Sequence, residues 1–361
     1  MEIRKVQKLG YSTIVVSLPR SWVKEKSIKK GDSVIVRVEE DGSLRIIPYN
    51  MGSEKTVYER YIVDVTNLSS KGMVERILIG NYLLGHDTIT FKTSDKRMPA
   101  WVLEEVMDAI NRLAGVEIVD QRLNEITVQC FIDPTKFKLK GLVRRMYTLI
   151  FSMIEGIRIF LTEGDDSIFS QISGFETEAD RLYWLVVRQL LLSQRSWRVA
   201  KEIGVTHPYH IVGNRAIVKA LEDIADRIDD VGTELRRIPA DWIDRSRDES
   251  DGAVRRLDEL LSEIDNMVGD SMQAFIELSI EKANDVINEA EKFKEKTQEI
   301  DIWFISNVKD PLILSTLRLM LSHLMRVIDN VQLIAEITIN RSLEAPSKFY
   351  YWEAMKKEEA K

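Results

Sequence analysis

Acidic residues four apart on a predicted helix are the residues of this sequence whose spacing could bind a cation. In the run ALEDIADRIDD at 220–230, apolar residues at spacings of three and four form a packing seam, and Glu222 and Asp226 lie off it. Residues four apart share one helix face, so two carboxylates can converge on one hard cation. With 58 acidic residues in the chain, such pairs also arise by chance on solvated helices. Both interpretations stay open on the residues alone.

The helix that carries this pair is one of two similar helices. Residues 207–233 return in degenerate form at 310–336, with Pro208, Arg215 and Leu221 matched by Pro311, Arg318 and Leu324. The apolar seam is kept in the second copy, whereas most of the acidic face is lost. A repeated helix predicts a repeated structural unit.

Composition indicates a soluble globular protein of two or three domains. The chain has 361 residues, of which 44% are apolar and 30% charged. Its one cysteine cannot form an internal disulfide, and the polar start of the chain is unlike a signal peptide. The apolar run at 149–161 is interrupted by Glu155 and Arg158 and is too short to cross a bilayer. These features predict a reducing, cytoplasmic location and no transmembrane segment.

Charge is distributed unevenly along the chain. Residues 1–50 hold ten Lys and Arg against six Asp and Glu, whereas the remainder holds 41 against 52. The N-terminal end could therefore meet a polyanion that the rest of the chain would repel.

Residues 1–48 predict a small β-rich domain. Short β-prone runs at 2–8, 12–18, 33–39 and 43–47 are separated by turns, with a short helix at 19–26 and a tight turn at 40–42. A segment of this size buries too little apolar surface to be stable alone, so we expect pairing with a second copy.

The runs KLGYSTIVVSLPRSW, IKKGDSVIV and DGSLRIIP resemble the swapped-hairpin SpoVT/AbrB-type DNA-binding domain. The resemblance implies an interlocked dimeric barrel that binds DNA. Many relatives carry a basic residue directly after the glycine of the first turn, where this chain has Tyr11. The DNA-binding residues that we predict are Arg4, Lys5, Lys8, Ser12, Thr13, Arg20 and Lys24.

After a predicted linker at 49–55, residues 56–133 predict a small α/β domain. The pattern reads strand, helix, strand, helix, strand, strand, and Ser69 is the expected N-cap of the first helix. The segment has no glycine-rich phosphate loop and no nucleophile elbow. A spacer, a dimer contact and a small-ligand sensor stay open as its roles.

From Pro134 onward the pattern is helical. It predicts helices at 139–163, 166–203, 209–237, 241–278, 280–307 and 311–341, which form three-helix bundles at 139–238 and 241–342, followed by a tail at 343–361. The predicted fold class is therefore multidomain: a swapped-hairpin β-barrel half, a small α/β middle domain and all-α tandem three-helix bundles.

The two bundles and the run at 220–230 resemble the PhoU family. The resemblance implies a metal cluster, of iron, zinc or another divalent ion, held on the first bundle by Glu176, Asp180, Glu222 and Asp226. In the second bundle Met325 replaces the glutamate, which leaves Asp329 as a weaker candidate. The family's role implies control of phosphate uptake.

We therefore predict a non-enzymatic, homodimeric transcription regulator that binds DNA and contacts a phosphate transporter subunit or a signalling protein. One alternative is an antitoxin-like DNA-binding module with a helical platform for protein binding. A di-iron carboxylate enzyme is disfavoured because it would need Glu-x-x-His motifs, and none of the four histidines has a glutamate three residues before it.

Overall fold

A computed structural model describes residues 3–38, 43–49, 60–248, 252–344 and 346. The chain divides into two compact units, Met1–Glu59 and Arg60–Lys361. The predicted turn at 40–42, most of the predicted linker and most of the tail at 343–361 lie outside the described residues.

The N-terminal unit contains two separate antiparallel strand pairs and one short helix. Lys8 pairs with Ile14 in the first sheet and Val36 with Ile46 in the second. The elements are β1 (Gln7–Leu9), β2 (Thr13–Val15), α1 (Arg20–Glu25), β3 (Val34–Val38) and β4 (Leu44–Pro48).

The first two strands are shorter than the predicted runs at 2–8 and 12–18. Alternating sequence shows which residues can form a strand, but a strand ends where its pairing partner ends. In a single chain, β1 and β2 find partners only next to the turn at Gly10, whose φ of 67° is easily adopted by glycine.

The second unit begins with a four-stranded sheet covered by two helices. The strand order is β5-β6-β8-β7, with β5 and β6 parallel and the other pairs antiparallel. The elements follow the predicted order: β5 (Arg60–Asp64), α2 (Met73–Leu83), β6 (Thr88–Lys92), α3 (Ala100–Arg112), β7 (Val116–Arg122) and β8 (Glu125–Cys130).

Helix α2 is capped by a residue that is distant in sequence. It begins at Met73 rather than at the predicted Ser69, and the Glu105 carboxylate of α3 accepts hydrogen bonds from the backbone N–H groups of Gly72, at 2.6 Å, and Val74, at 2.9 Å. Local capping rules do not reveal such a cap, because the acceptor comes from the next helix.

The remaining helices form the two predicted bundles. The Asp310 carboxylate accepts from Leu312 N–H at 2.8 Å and Pro311 occupies the first turn, as predicted for the start of the last helix. The helices are α4 (Leu139–Glu163), α5 (Ile168–Arg195), α6 (Trp197–Ile203) and α7 (His210–Leu235) in the first bundle, then α8 (Ala240–Asp248), α9 (Ala253–Glu277), α10 (Ile280–Asn307) and α11 (Pro311–Ser342) in the second.

Two predicted long helices are divided in the structure. The predicted helix at 166–203 breaks at Ser196, whose φ of −142° and ψ of 110° are extended, and the one at 241–278 is two helices, α8 and α9. Ala200 and Ile203 of α6 are buried in the same core as α5. The apolar period therefore continues across the break at Ser196, and both helices contribute to one core.

The two bundles pack against each other through α7 and α11 and through α4 and α9. Leu221 of α7 and its repeat partner Leu324 are both fully buried. Among the described residues α11 is the one helix whose length and composition would also allow it to cross a membrane. Its seam, including Leu317 and Val331, is fully buried in the shared core, and a core helix passes the same test.

The α/β domain packs on α5 through α2 and α3. Arg188 of α5, 2% exposed, donates to Asp87 Oδ1 at 2.6 Å and to the Tyr82 carbonyl oxygen. The guanidinium also lies 4.8 Å from the centre of the Tyr82 ring. These contacts fix the α/β domain on the first bundle.

Candidate functional site

The predicted DNA-binding residues lie on the surface of the N-terminal unit. Arg4 is half-buried and its Nη1 donates to Ser17 Oγ at 3.0 Å. The other six are exposed: Lys5, Lys8, Ser12, Thr13, Arg20 and Lys24. Ser12 and Thr13 follow the turn at Gly10 between β1 and β2, beside the fully exposed ring of Tyr11.

Helix α1 places two of these basic residues along one open groove. A groove of about 550 Å³ is lined by Leu18, Arg20, Val23, Lys24, Ser27, Ile28 and Lys29. Three of its lining residues are basic and none is acidic, so this side of the unit can attract the phosphates of a nucleic acid. Lys29 was not among the predicted residues, although its place in the basic run before Gly31 is visible in the sequence.

The predicted metal-binding residues come together where α5 packs on α7. The acidic cluster consists of Glu176 and Asp180 on α5 with Glu222, Asp223 and Asp226 on α7. Carboxylate oxygens of Glu222, Asp223 and Asp226 all lie within 4.8 Å of one another. The α5 carboxylates do not belong to this close group of described residues, but the charges of Asp180 and Asp226 raise the pKa of Glu176 after the larger effect of burial.

Two basic side chains already neutralise part of the acidic cluster. Lys219 Nζ contacts Glu222 and lies 2.7 Å from Asp223 Oδ1. Arg112, from α3 of the α/β domain, lies 2.8 Å from Asp180 Oδ2 and 2.9 Å from Glu75 Oε1. Among the described residues, no basic group lies within 4.0 Å of the carboxylates of Glu176 and Asp226. Asp180, Glu222 and Asp223 therefore have basic partners, whereas Glu176 and Asp226 have none in the described part of the chain.

Burial dominates the titration of the acidic cluster. It raises the pKa of Glu222 to about 7, with Asp226 adding to the effect and the hydrogen bond from Lys219 opposing it. The pKa values of Glu176 and Asp226 are also raised, first by burial and then by neighbouring carboxylates, although Lys219 opposes the shift at Asp226. Burial alone would lower the pKa of Lys219, but its hydrogen bonds to Asp223 and Glu222 raise it.

The donor set of the acidic cluster suits a hard cation. Every candidate ligand is a carboxylate, and no Cys or His belongs to the group that the described residues form. Oxygen donors favour Mg²⁺, Ca²⁺, Mn²⁺ or iron over zinc held by thiolates or imidazoles. A cation bound by Glu222 and Asp223 would have to displace both Lys219 and the proton that the raised pKa of Glu222 retains.

The equivalent face of the second bundle is arranged differently. Asp329 lies 2.7 Å from Lys294 Nζ, which also donates to Gln332 Oε1 at 2.6 Å, and Met325 takes the place of Glu222. Glu291 and Glu295 are exposed on the outer side of α10. A lysine thus occupies the place where a second carboxylate would be needed beside Asp329.

Three residues of the site were missed in the sequence. Asp223 and Lys219 lie within one helical turn of Glu222, so the i,i+3 and i,i+4 rules could have found them. Arg112 lies 68 residues before Asp180 and reaches it only because the α/β domain packs on α5. No local signal marks such a contact.

The N-terminal segment is similar to a known protein family. Residues 7–54 match the family model described as "Antidote-toxin recognition MazE, bacterial antitoxin". The predicted AbrB-like character of the N-terminal segment is thereby confirmed. No curated protein matches the chain.

One similar solved structure is that of PhoU from Pseudomonas aeruginosa. It is 16% identical in sequence, aligns with a TM-score of 0.47, and covers 56% of this chain and 93% of its own. The N-terminal segment is thus MazE- and AbrB-like, and the solved PhoU structure resembles part of this chain in fold.

Proposed function

We propose that this protein is a DNA-binding transcriptional regulator that acts as a homodimer, with its helical bundles serving as the sensing or partner-binding half. The observation that carries the proposal is the coincidence of the MazE family match at 7–54 with an exposed basic surface. Phosphate contacts by such residues give affinity for DNA, and base contacts give specificity.

A homodimer is supported by the exposed apolar side chains of the N-terminal unit. None of its residues with a described side chain is buried, and Ile14, Val36 and Val38 are more than half exposed. Val38 alone is 77% exposed. The strands of a second copy could pair with the strand edges of this unit and extend both sheets. The side chains of that copy would then cover the exposed isoleucine and valines.

Control of phosphate uptake is the specific role that we propose, on the basis of the PhoU-like signature at 220–230. A transporter subunit or a signalling protein is the partner that we expect at the bundles. Chromosomal DNA recovered with the protein from cells should be enriched in promoters of phosphate-transport genes. Uniform occupancy of the chromosome would contradict this specific role and leave general DNA binding intact.

DNA binding itself is tested with two substitutions. Lys5→Ala and Arg20→Ala should weaken binding of duplex DNA and reduce the slope of log K against log salt by about 0.9 for each phosphate that the protein no longer neutralises. Lys140→Ala and Arg144→Ala, exposed on α4, are the matched controls and should change neither quantity. Unchanged retention of the first pair on DNA at low salt would refute this interface.

We also propose a divalent cation on the acidic cluster, held by Glu176, Asp180, Glu222 and Asp226 with Asp223. The bound cation would supply positive charge that fixes α5 against α7. Asp226→Asn should abolish the rise in melting temperature that Mg²⁺, Mn²⁺ or Fe²⁺ produces, whereas Asp329→Asn should leave it unchanged. If elemental analysis finds no metal and none of these ions shifts the melting curve of the unmodified protein, the cation site is wrong.

The MazE match favours a second candidate function, an antitoxin-like protein that binds a toxin as well as DNA. In that case the exposed apolar residues of the N-terminal unit would form the surface that binds the toxin. Affinity purification from the native cell discriminates between the two functions. A small nuclease recovered in stoichiometric amount supports the antitoxin, and a transporter ATPase supports the phosphate regulator.

A further inference from the structure

A pocket between the two bundles is lined mainly by hydrogen-bond donors. It has a volume of about 500 Å³ and lies between α7 and α11, where Asp223, Arg227, His323, Arg326 and Asn330 surround it. Four of these five side chains carry N–H groups. The pocket is within the range of small-ligand sites, which is roughly 300–1,000 Å³.

The carboxylates near the pocket are already neutralised. Arg227 Nη1 lies 2.6 Å from Asp230 Oδ2, and Asp223 Oδ1 lies 2.7 Å from Lys219 Nζ. Glu234, farther along α7, is held by Arg237 Nη1 at 2.7 Å. Asp230 Oδ2 also lies 3.4 Å from His323 Nδ1. Arg227 balances Asp230, and Lys219 is shared between Asp223 and Glu222, which leaves Arg326 as the cation of the pocket that is not in an ion pair with any described residue.

Arg326 contributes the excess positive charge. No carboxylate of the described residues lies within 4.0 Å of its guanidinium, which is exposed. Arg326 and His323 are three residues apart on α11 and so face the same side. An arginine without a carboxylate partner, directed at a pocket of donors, favours a bound anion over a cation.

The Arg227 guanidinium of α7 approaches His323 of α11 across the pocket. Arg227 Nη1 lies 3.5 Å from His323 Nδ1. Burial lowers the pKa of His323, Asp230 and Glu234 oppose this effect, and Arg227 and Arg326 add to it. The imidazole is therefore neutral near pH 7 and has one N–H to donate. Arg227 from α7 and Arg326 from α11 both line the pocket.

We propose that this pocket is an oxyanion site that binds the phosphoryl group of a small molecule through Arg227 and Arg326. Donors that converge from two facing helices match the three oxygens of a phosphoryl group better than the two coplanar oxygens of a carboxylate. The free anion and a phosphorylated metabolite share this chemistry. The site goes beyond the proposed regulatory function and does not depend on DNA binding, since it lies wholly in the second unit.

Calorimetric titration of the full chain with inorganic phosphate, and separately with ADP, tests the site. Arg326→Gln should weaken binding of at least one of them by about tenfold or more, since the variant cannot make a charge-assisted guanidinium hydrogen bond. Arg227→Gln should have a similar effect. Arg144→Gln, exposed on α4, is the matched control and should bind as the unmodified protein does.

Each result decides the proposal. Binding of phosphate that depends on Arg326 supports the free anion as ligand, and binding of ADP alone with the same dependence supports a phosphorylated metabolite. Equal binding by the unmodified protein and Arg326→Gln would place the anion elsewhere and overturn the site. No binding of either ligand, with melting curves showing all variants folded, would overturn it as well.

Discussion

Glu222 combines burial with crowding by other carboxylates. Its side chain is almost fully buried, and its pKa of about 7 lies above the ordinary value for glutamate. A carboxyl group whose pKa is raised by folding binds its proton more tightly in the folded state. It therefore stabilises the fold below its unfolded pKa and loses that contribution as pH rises through about 7.

The melting temperature of the metal-free protein should consequently fall between pH 5 and pH 8, and Glu222→Gln should flatten this dependence. The expected difference is on the order of 1 kcal/mol in the free energy of unfolding between these two pH values. Thermal melts in the presence of a chelator measure it. Glu291→Gln, exposed on α10, should keep the dependence of the unmodified protein, and an equal slope in the Glu222 variant would contradict the assignment.

Arg188 is a buried residue whose contacts predict a loss of stability on substitution. Removing its side chain leaves the Tyr82 carbonyl oxygen without that donor and opens a space where α5 meets the α/β domain. Arg188→Ala should lower the free energy of unfolding by roughly 2–4 kcal/mol. Chemical denaturation measures the loss.

Arg195→Ala is the matched control for Arg188, since Arg195 also donates to a backbone oxygen of the same domain, that of Leu84 at 3.0 Å, but is exposed. Its effect should stay within about 0.5 kcal/mol. If both variants lost the same free energy of unfolding, burial of Arg188 would make no contribution to stability.

At the scale of elements, helix α3 supplies the Arg112 guanidinium to the acidic cluster on α5 and α7. In the pair that Arg112 makes with Asp180, burial opposes the charged form, but the hydrogen bonds to Asp180 and Glu75 outweigh it and raise the pKa of Arg112. A cation bound at Asp180 would compete with Arg112. Packing of the α/β domain and cation binding are therefore expected to be coupled.

Arg112→Ala should destabilise the metal-free protein by roughly 1–3 kcal/mol, because Asp180 is left buried without its partner. Hydrogen exchange should rise in α2 and α3. Added Mg²⁺ should raise the melting temperature of this variant more than that of the unmodified protein, since the competing guanidinium is gone.

Arg122→Ala removes an exposed ion pair in the same domain, where Arg122 Nε lies 3.2 Å from Asp120 Oδ2, and serves as the control. It should leave both stability and exchange unchanged. If exchange in α2 and α3 rose equally in both variants, the coupling through Asp180 would be refuted.

At the scale of the whole molecule, the two units differ in how they bury apolar surface. The second unit contains a continuous core through both bundles and a smaller core in the α/β domain. The N-terminal unit has no buried residue among those whose side chains are described, a set that leaves out Arg37. Its stability is therefore expected to depend on association, and so on protein concentration.

Val38→Lys should dissociate the homodimer and abolish DNA binding, while the melting transition of the second unit stays unchanged. Val212→Lys, an equally exposed valine on α7, is the matched control and should remain dimeric. Light scattering coupled to size exclusion measures the mass. A Val38 variant that kept the dimeric mass would show that the subunits associate elsewhere.

Much of this architecture could be predicted from the sequence because its signals are local. The 3.6-residue apolar period placed α4 at residues 139–163, and the Asp310–Pro311 step placed the start of α11. The strand and helix order of the α/β domain also follows from periodicity. Spacing and family resemblance together predicted four carboxylates as metal ligands, and two of them, Glu222 and Asp226, lie in one close group with Asp223.

Other features were decided only by the tertiary structure. The cap that Glu105 gives to α2, the pairing of Arg112 with Asp180 and the pocket lined by both Arg227 and Arg326 each join residues far apart in the chain. The sequence by itself determined which residues are acidic, basic or apolar and on which helix face they lie, because these are properties of composition and period. Packing alone decided which charges meet and how deeply they are buried, because the energy of a charge depends on distance and solvent exposure.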